Sequence, residues 1–402
     1  MGAGPTRPQY WEVALLLIAV ILCYCVLYGP QVIVTLWVAR YHLSPDQANW
    51  LVMSTLIPMC VAPLSYGYLL GHRSTREVII WGLAGLGLAT TGLSVADHPA
   101  SILAFRFTQG LILPAIMTAV MARLGERALT LKLPLITYYL CATVIGGLVG
   151  RILTGYLAVS KPLAWIWGLW AGSLGCVTLA FIMMREELEI PLNKKTLTPP
   201  MAREALQLNS VRYTLCTAGL MFGIFAAALT LLPFRVSELG GDSSKIADRY
   251  WGYLLGALVA LGASQLELWL KGRSRAASLG LLTMGFALWI GSTDADASDR
   301  LSIMVTLLCA GMFITHPLLA EHITSTRDDF RGVMSGLYVS SYYLGGLALT
   351  WIASRAYVLL GWRWTLWGMC GLAGLAIYFC TRAFSPADTR EEPERSASTK
   401  AR

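Results

Sequence analysis

Charge is what this sequence has least of: Asp, Glu, Lys and Arg together make up 13% of its 402 residues, while apolar types reach 56%. Soluble domains carry roughly twice that charged fraction. With a mean hydropathy of +0.59, a water-exposed globule is excluded and an integral membrane protein is implied. Acidic groups are missing where they would be most costly, since no Asp or Glu stands midway along any long apolar run. The nine cysteines, Cys23 to Cys380, all fall within apolar runs without metal-ligand spacing, and read as small buried hydrophobes. No nucleophile–base pair, metal cluster or phosphate loop stands out, so nothing points to an enzyme, a metal or a cofactor.

What is present in quantity is apolar sequence in lengths near the ~20 residues that a helix needs to cross ~30 Å of hydrocarbon. Twelve runs are expected to be membrane-spanning helices: 12–38, 48–70, 78–95, 101–122, 133–157, 164–184, 213–234, 250–270, 276–291, 301–322, 333–356 and 362–384. The ninth is the shortest. The first is too long for a signal peptide, begins with Glu12 and lacks a small-residue cleavage pattern, so it is expected to stay as a helix. With an even number of spans both termini share a side. Placing them in the cytoplasm assigns 21 of the 31 Lys and Arg to cytoplasmic segments and 8 to external ones, and leaves two in the membrane. That is the positive-inside pattern, and it accounts for the basic balance without nucleic acid.

The longest hydrophilic connection, 185–212, divides the chain into bundles 1–184 and 213–384, and residues 385–402 form a charged tail expected to be disordered and cytoplasmic. A shift of 199 residues lines up Gly146 and Gly147 with Gly345 and Gly346, Tyr139 with Tyr338, Arg76 with Arg275, and Trp165 with Trp364. Two homologous six-helix bundles are the simple explanation, an architecture that places a substrate site near the midplane between repeats.

The shift fails at the ionisable groups. Arg106 falls on Val305, Arg151 on Thr350, and His316 on an apolar position. Scaffold features should appear twice, whereas features serving one asymmetric ligand need not. Intramembrane charge also costs several kcal/mol unless it faces a cavity or a partner, so Arg106 and Arg151 are candidate substrate or coupling residues; the alternative for Arg106 is a strut from helix to carbonyl. Depth at ~1.5 Å per residue places both in the external half of the first bundle. Glu12, Glu267 and Glu321 stand near cytoplasmic ends and read as solvated end charges. A buried carboxylate is the usual proton carrier of a cation exporter, so its absence favours anionic or neutral polar cargo. Tyr28 and Gln31 flank Gly29 and Pro30 in the first span, where proline permits a kink. They are candidates to line the path, as are Tyr138, Tyr139, Tyr338, Tyr342 and Tyr343; each tyrosine could equally pack between helices with its hydroxyl on backbone. Gly146, Gly147, Gly150 and Gly155 let backbones approach closely.

These residues resemble the major facilitator superfamily over nearly the whole chain. The loop Gly67-Tyr-Leu-Leu-Gly-His-Arg-Ser-Thr-Arg76 is similar to the superfamily signature GxLaDrxGrR, with Arg73 and Arg76 at basic positions but Gly71 where the signature has Asp and Ser74 where it has Gly. Lys271-Gly-Arg-Ser-Arg275 is a weaker copy. Arg106-Phe-Thr-Gln-Gly-Leu-Ile-Leu-Pro114 resembles the RxxQGxxxP stretch of the drug:proton antiporter branch. Gly146-Gly-Leu-Val-Gly-Arg151, Tyr28-Gly-Pro-Gln31, Gly311-Met-Phe-Ile-Thr-His316, Tyr342-Tyr-Leu-Gly-Gly346 and Gly361-Trp-Arg-Trp364 resemble its YnfM-like subgroup. The resemblance implies proton coupling at Arg106, antiport at Gly146, Gly147 and Gly150 of the fifth helix, and gating at Gly67, Arg73, Arg76 and Pro114. Without a central carboxylate, His316 is the candidate titrating group, its ordinary pKa of ~6.5 lying in the physiological range.

The expectation is an all-α membrane protein of twelve helices in two pseudo-repeats: a secondary transporter, monomeric, in a bacterial inner membrane. It would export a small polar or anionic organic molecule of the drug, sugar or siderophore class against protons, with no cofactor and no nucleic-acid partner. An importer of organic anions or metal-chelate siderophores, and a non-transporting sensor on the same scaffold, are the alternatives. Both guanidinium groups sealed among backbone would count against anionic cargo.

Overall fold

The computed structural model describes residues 7–63, 66, 73–184, 199–293, 297–326 and 331–385, and these are almost entirely helical. The first span is a helix Arg7–Tyr28, a 3-10 turn Gly29–Ile33 and a helix Val34–Tyr41. The turn falls where Pro30 removes an N–H. The second begins at Ser44, which shares a reciprocal cap with Gln47, and consists of helices Pro45–Met53 and Leu56–Met59; most of its remainder lies outside the described residues. Helices Thr75–Ser94, Pro99–Leu131, Leu135–Ser160 and Leu163–Met183 are the third to sixth spans. A short helix Pro199–Ala205 precedes the seventh span, Asn209–Glu238. Helix Ser243–Asp248 and the 3-10 turn Arg249–Gly252 lead into the eighth, Tyr253–Trp269. The ninth and tenth are Arg273–Gly291 and Ala297–Thr326. The last two share the helical stretch Arg331–Ala383, divided at Gly361, whose φ of 78° and ψ of 177° suit glycine and no helix.

Each of the twelve predicted runs therefore falls mainly on helix where its residues are described, and eight helical stretches among the described residues are long and apolar enough to cross a membrane. One boundary matters for function. The fourth span is read from the sequence as ending at residue 122, but its helix continues to Leu131, which keeps Arg123 and Arg127 on the same helix.

The chain forms two compact units, Met1–Lys195 with Leu229–Ala257, and Thr196–Ala228 with Leu258–Arg402. The first thus includes the end of the seventh span and the start of the eighth. Within it the fifth span lies against the first, and the third against the fourth and sixth. The fit of fifth on first depends on missing side chains: a Cβ on Gly146 would stand 2.5 Å from the Ile21 carbonyl oxygen, and one on Gly150 2.5 Å from Cys25 Cα. In the second unit the ninth span packs on the tenth and on the final helical stretch, and a Cβ on Gly345 would stand 2.0 Å from the Gly219 oxygen. The predicted glycines thus mark close helix contacts in each unit.

Candidate functional site

Pro30 has no N–H, so the carbonyl of Val26, four residues earlier, loses its helical donor. An unsatisfied carbonyl inside a bilayer costs several kcal/mol. Arg106 repairs this break: its Nη1 donates to the Val26 oxygen at 3.0 Å and its Nη2 to the Leu27 oxygen at 2.9 Å. Nη1 also donates to Gln109 Oε1 at 2.8 Å, and Gln109 Nε2 donates to Thr90 Oγ1 at 3.0 Å. Arg106, Gln109 and Thr90 are each fully buried. The guanidinium of Arg106 faces backbone oxygens and a buried amide, the arrangement that the strut alternative describes. Gln109 stands in the Arg106–Pro114 motif but is not among the candidate site residues read from the sequence, although the Arg-x-x-Gln spacing already puts it on the same helix face.

Arg151 has different surroundings. Its Nε and Nη2 both donate to one atom, Gln31 Oε1, at 2.8 and 2.5 Å, and Nη1 donates to the Gly147 carbonyl at 2.8 Å. Three aromatic rings enclose the cation, with centroids 4.3 Å (Tyr28), 4.9 Å (Tyr250) and 4.7 Å (Tyr253) from Cζ. That is cation–π distance. Among the described residues no carboxylate pairs with Arg151. The far end of the Gln31 amide donates from Nε2 to Thr230 Oγ1 at 3.2 Å, and Tyr250 donates its hydroxyl proton to the Leu229 carbonyl at 2.8 Å. Gly147 is part of the box, since a Cβ there would meet Arg151 Nη1 at 3.2 Å and the Tyr28 ring at 3.4 Å. The sequence reading found Arg151, Gln31, Tyr28 and Gly147, and the fold brings these four together. It missed Tyr250 and Tyr253, whose i, i+3 spacing at the entry of the eighth span was the available signal.

In the second unit the predicted trio His316, Tyr338 and Tyr342 also converges. His316 Nδ1 lies 2.8 Å from the Tyr338 hydroxyl, which in turn donates to the His316 carbonyl at 3.2 Å. The Tyr342 ring is 5.1 Å from the imidazole and stacks on Phe222 at 3.7 Å. Phe222 meets Tyr343 edge-on at 5.6 Å, and Phe225 meets Phe313 edge-on at 6.3 Å. His316, Tyr342 and Phe313 keep intermediate exposure although they lie within spanning helices. The arrangement offers an imidazole, a phenol and flat apolar faces to a solute.

The remaining predicted residues are placed less centrally. Tyr139 is buried and Tyr138 is 42% exposed, away from the core. Gly67 lies outside the described residues. Arg73 is largely exposed, 3.9 Å from Glu77. Arg76, in the first turn of the third span, donates from Nη2 to the carbonyls of Phe181, Ile182 and Met184 at 3.0, 3.2 and 3.0 Å. It thereby closes the C-terminus of the sixth span, where a cation is favoured. Pro114 is buried in a continuous helix. Glu12 requires a correction: it is 3% exposed, its two oxygens held by Arg123 and Arg127. The helix extension beyond residue 122 supplies both partners, so it is a buried ion pair and no solvated end charge. Glu267 and Glu321 share Arg273 at 3.2 and 2.9 Å, and Glu321 remains exposed. Among the described residues no group of three or more His, Cys, Asp or Glu could hold a metal ion.

Comparison with known proteins adds three findings. The family profile described as Major Facilitator Superfamily matches residues 16–266. An uncharacterized transporter of Buchnera aphidicola subsp. Baizongia pistaciae (strain Bp) is 23% identical over 336 residues, covering 80% of this chain and 81% of that protein. Two solved structures share the fold. A bacterial homolog of the human lysosomal transporter Spinster, inward-facing and unoccupied, has a TM-score of 0.74 at 14% identity, covering 95% of this chain and all of the other. A variant of the nucleoside transporter NupG has a TM-score of 0.73 at 12% identity, covering 93% of this chain and all of the other.

Proposed function

This chain belongs to the major facilitator superfamily, and from that premise we propose that it is a proton-coupled exporter of a small polar or anionic organic molecule in a bacterial inner membrane. That it is a multi-pass membrane transporter of this type follows from the family. The drug:proton antiporter branch and the YnfM-like subgroup, supported by the motifs, cytoplasmic termini, supported by the Lys/Arg distribution, and a monomeric state are the finer parts of the same proposal.

One observation carries the coupling half: His316 Nδ1 is 2.8 Å from the Tyr338 hydroxyl, the imidazole lying partly accessible beside the Tyr342 ring. A group that can take and give a proton thus stands next to flat faces on which cargo can rest. Anion attraction is assigned to Arg151, because Nη1 and Nη2 of Arg106 are engaged by the Val26 and Leu27 carbonyls and by Gln109. The test is proton flux in proteoliposomes driven by a cargo gradient. His316→Gln keeps a hydrogen-bonding side chain and removes the titration, so counterflow of cargo should persist while coupled proton movement is lost. Proton flux unchanged in His316→Gln would refute His316 as the carrier.

A further inference from the structure

Gln31 does for Arg151 what a carboxylate does elsewhere. The Nε/Nη2 edge of a guanidinium matches the two oxygens of a carboxylate or phosphate, yet here a single neutral amide oxygen fills it. Tyr28, Tyr250 and Tyr253 complete the enclosure with ring faces, and Thr230 fixes the other end of the amide. Two of the rings and Thr230 lie on the stretch 229–257, while Arg151, Gln31 and Tyr28 lie on the fifth and first spans. The same stretch seals the neighbouring turn of the fifth span, where a Cβ on Gly155 would stand 2.6 Å from Ala247 Cβ and 2.7 Å from the Ser243 oxygen. The two ring faces and the Thr230 hydroxyl that tie stretch 229–257 to Arg151 and Gln31 are neutral, while beyond the enclosure Tyr156 donates to the Asp248 carboxylate; a neutral acceptor on Arg151 is a weaker partner than an anion would be.

We propose that Arg151, Gln31, Thr230, Tyr250 and Tyr253 form a latch on one mouth of the transport path, and that an anion opens it by taking the guanidinium edge that Gln31 now occupies. The seat for the anion is Nε and Nη2 of Arg151, exposed when stretch 229–257 moves off. This rests on the transporter reading for its purpose, but its test does not need transport. The 199-residue separation of Gln31 and Thr230 equals the repeat shift, so the latch joins equivalent positions of the two halves.

The experiment places a reporter cysteine at Thr154, which is fully buried and accepts from Trp170 Nε1 at 3.2 Å, in a background with the nine native cysteines replaced. The labelling rate with a membrane-impermeant maleimide is measured in lipid nanodiscs. Gln31→Leu and Tyr253→Leu should each raise the rate about tenfold, the factor that removal of ~1.4 kcal/mol from a closed state gives. Gln31→Glu has the same shape but supplies a true anion, so it should slow labelling several-fold. Benzoate should speed labelling of the otherwise unaltered reporter saturably, benzamide should not, and Arg151→Met should erase the difference, with Arg151→Gln as the second variant if the first does not fold. Labelling that is equal in Gln31→Leu, Gln31→Glu and the reporter alone overturns the latch. A reporter that benzoate leaves unchanged, or that benzoate and benzamide accelerate alike, overturns the anion as its key. Absence of any cargo counterflow beside an intact labelling pattern would sink the transport reading and leave the latch standing.

Discussion

Replacing Gly150 with alanine should separate two effects that usually travel together. The added methyl would stand 2.5 Å from Cys25 Cα and 2.7 Å from the Cys25 oxygen. Both are backbone atoms of the first span, so no side chain can rotate aside. Restoring ordinary contact needs the two helices to part by about 1 Å, and overpacking of this kind costs ~1–3 kcal/mol. Alanine also gains up to ~1 kcal/mol of helix propensity over glycine, which would blur the result in isolation. Gly168, in the sixth span, supplies the reference: a Cβ there meets nothing within 4 Å, so Gly168→Ala carries the propensity gain alone. Thermal unfolding midpoints of the two purified variants, in one detergent, should therefore differ by the overpacking cost, with Gly168→Ala at or above the parent and Gly150→Ala below it. Gly146→Ala should follow Gly150→Ala, its methyl standing 2.5 Å from the Ile21 oxygen. Equal midpoints for Gly150→Ala and Gly168→Ala would refute the close approach of first and fifth spans.

Arg106→Met should lower the unfolding midpoint by the equivalent of about 2 kcal/mol, three intramembrane hydrogen bonds at ~0.6 each, while leaving cargo affinity in proteoliposomes intact; Pro30→Ala, which returns an N–H to the Val26 carbonyl, should recover part of the loss. Unchanged stability with weakened affinity would restore the binding role. Glu12→Gln removes the nearer of the two carboxylates on buried Arg123, Glu126 standing at 3.5 Å, so the loss should fall below the ~3–5 kcal/mol of a buried pair broken outright, and Glu12→Gln with Arg123→Met should be the more stable of the two; a single variant as stable as the parent would contradict the buried pair. Asp242 caps the helix Ser243–Asp248 through the Lys245 N–H at 3.0 Å, and that N–H, with Ser244, holds its carboxyl below the ordinary carboxylate range. A depressed folded pKa means stability that is complete above the unfolded value of ~3.9 and lost as pH falls through the folded one. Hydrogen exchange at the Lys245 amide should therefore be faster in Asp242→Ala than in the parent at neutral pH and should converge with it in acid; a gap independent of pH would exclude the cap.

The spans were legible because hydropathy is a local property: each run announces itself without knowledge of its neighbours. Even Gly361, which divides the last helical stretch, stands inside the predicted gap between residues 356 and 362. Partners were not legible. Arg106 reads as an unexplained charge until the orphaned carbonyl of Val26, 80 residues away, is seen beside it. Tyr250 and Tyr253 stand where aromatic residues ordinarily anchor a helix at the lipid interface, so nothing local distinguished them from belt residues. Glu12 was misassigned because the apolar run of the fourth span stops at residue 122 while hydrogen bonding carries the helix to Leu131. Charge at a predicted end was read as charge in water.

A single amide bonded at both ends has a mechanical meaning. Gln31 accepts from Arg151 through its oxygen and donates to Thr230 through its nitrogen, so its orientation is fixed: turned over, it would set donor against donor at Arg151. One isotope-labelled glutamine there would work as a two-ended gauge, its C=O stretch following the guanidinium and its N–H bend following the hydroxyl.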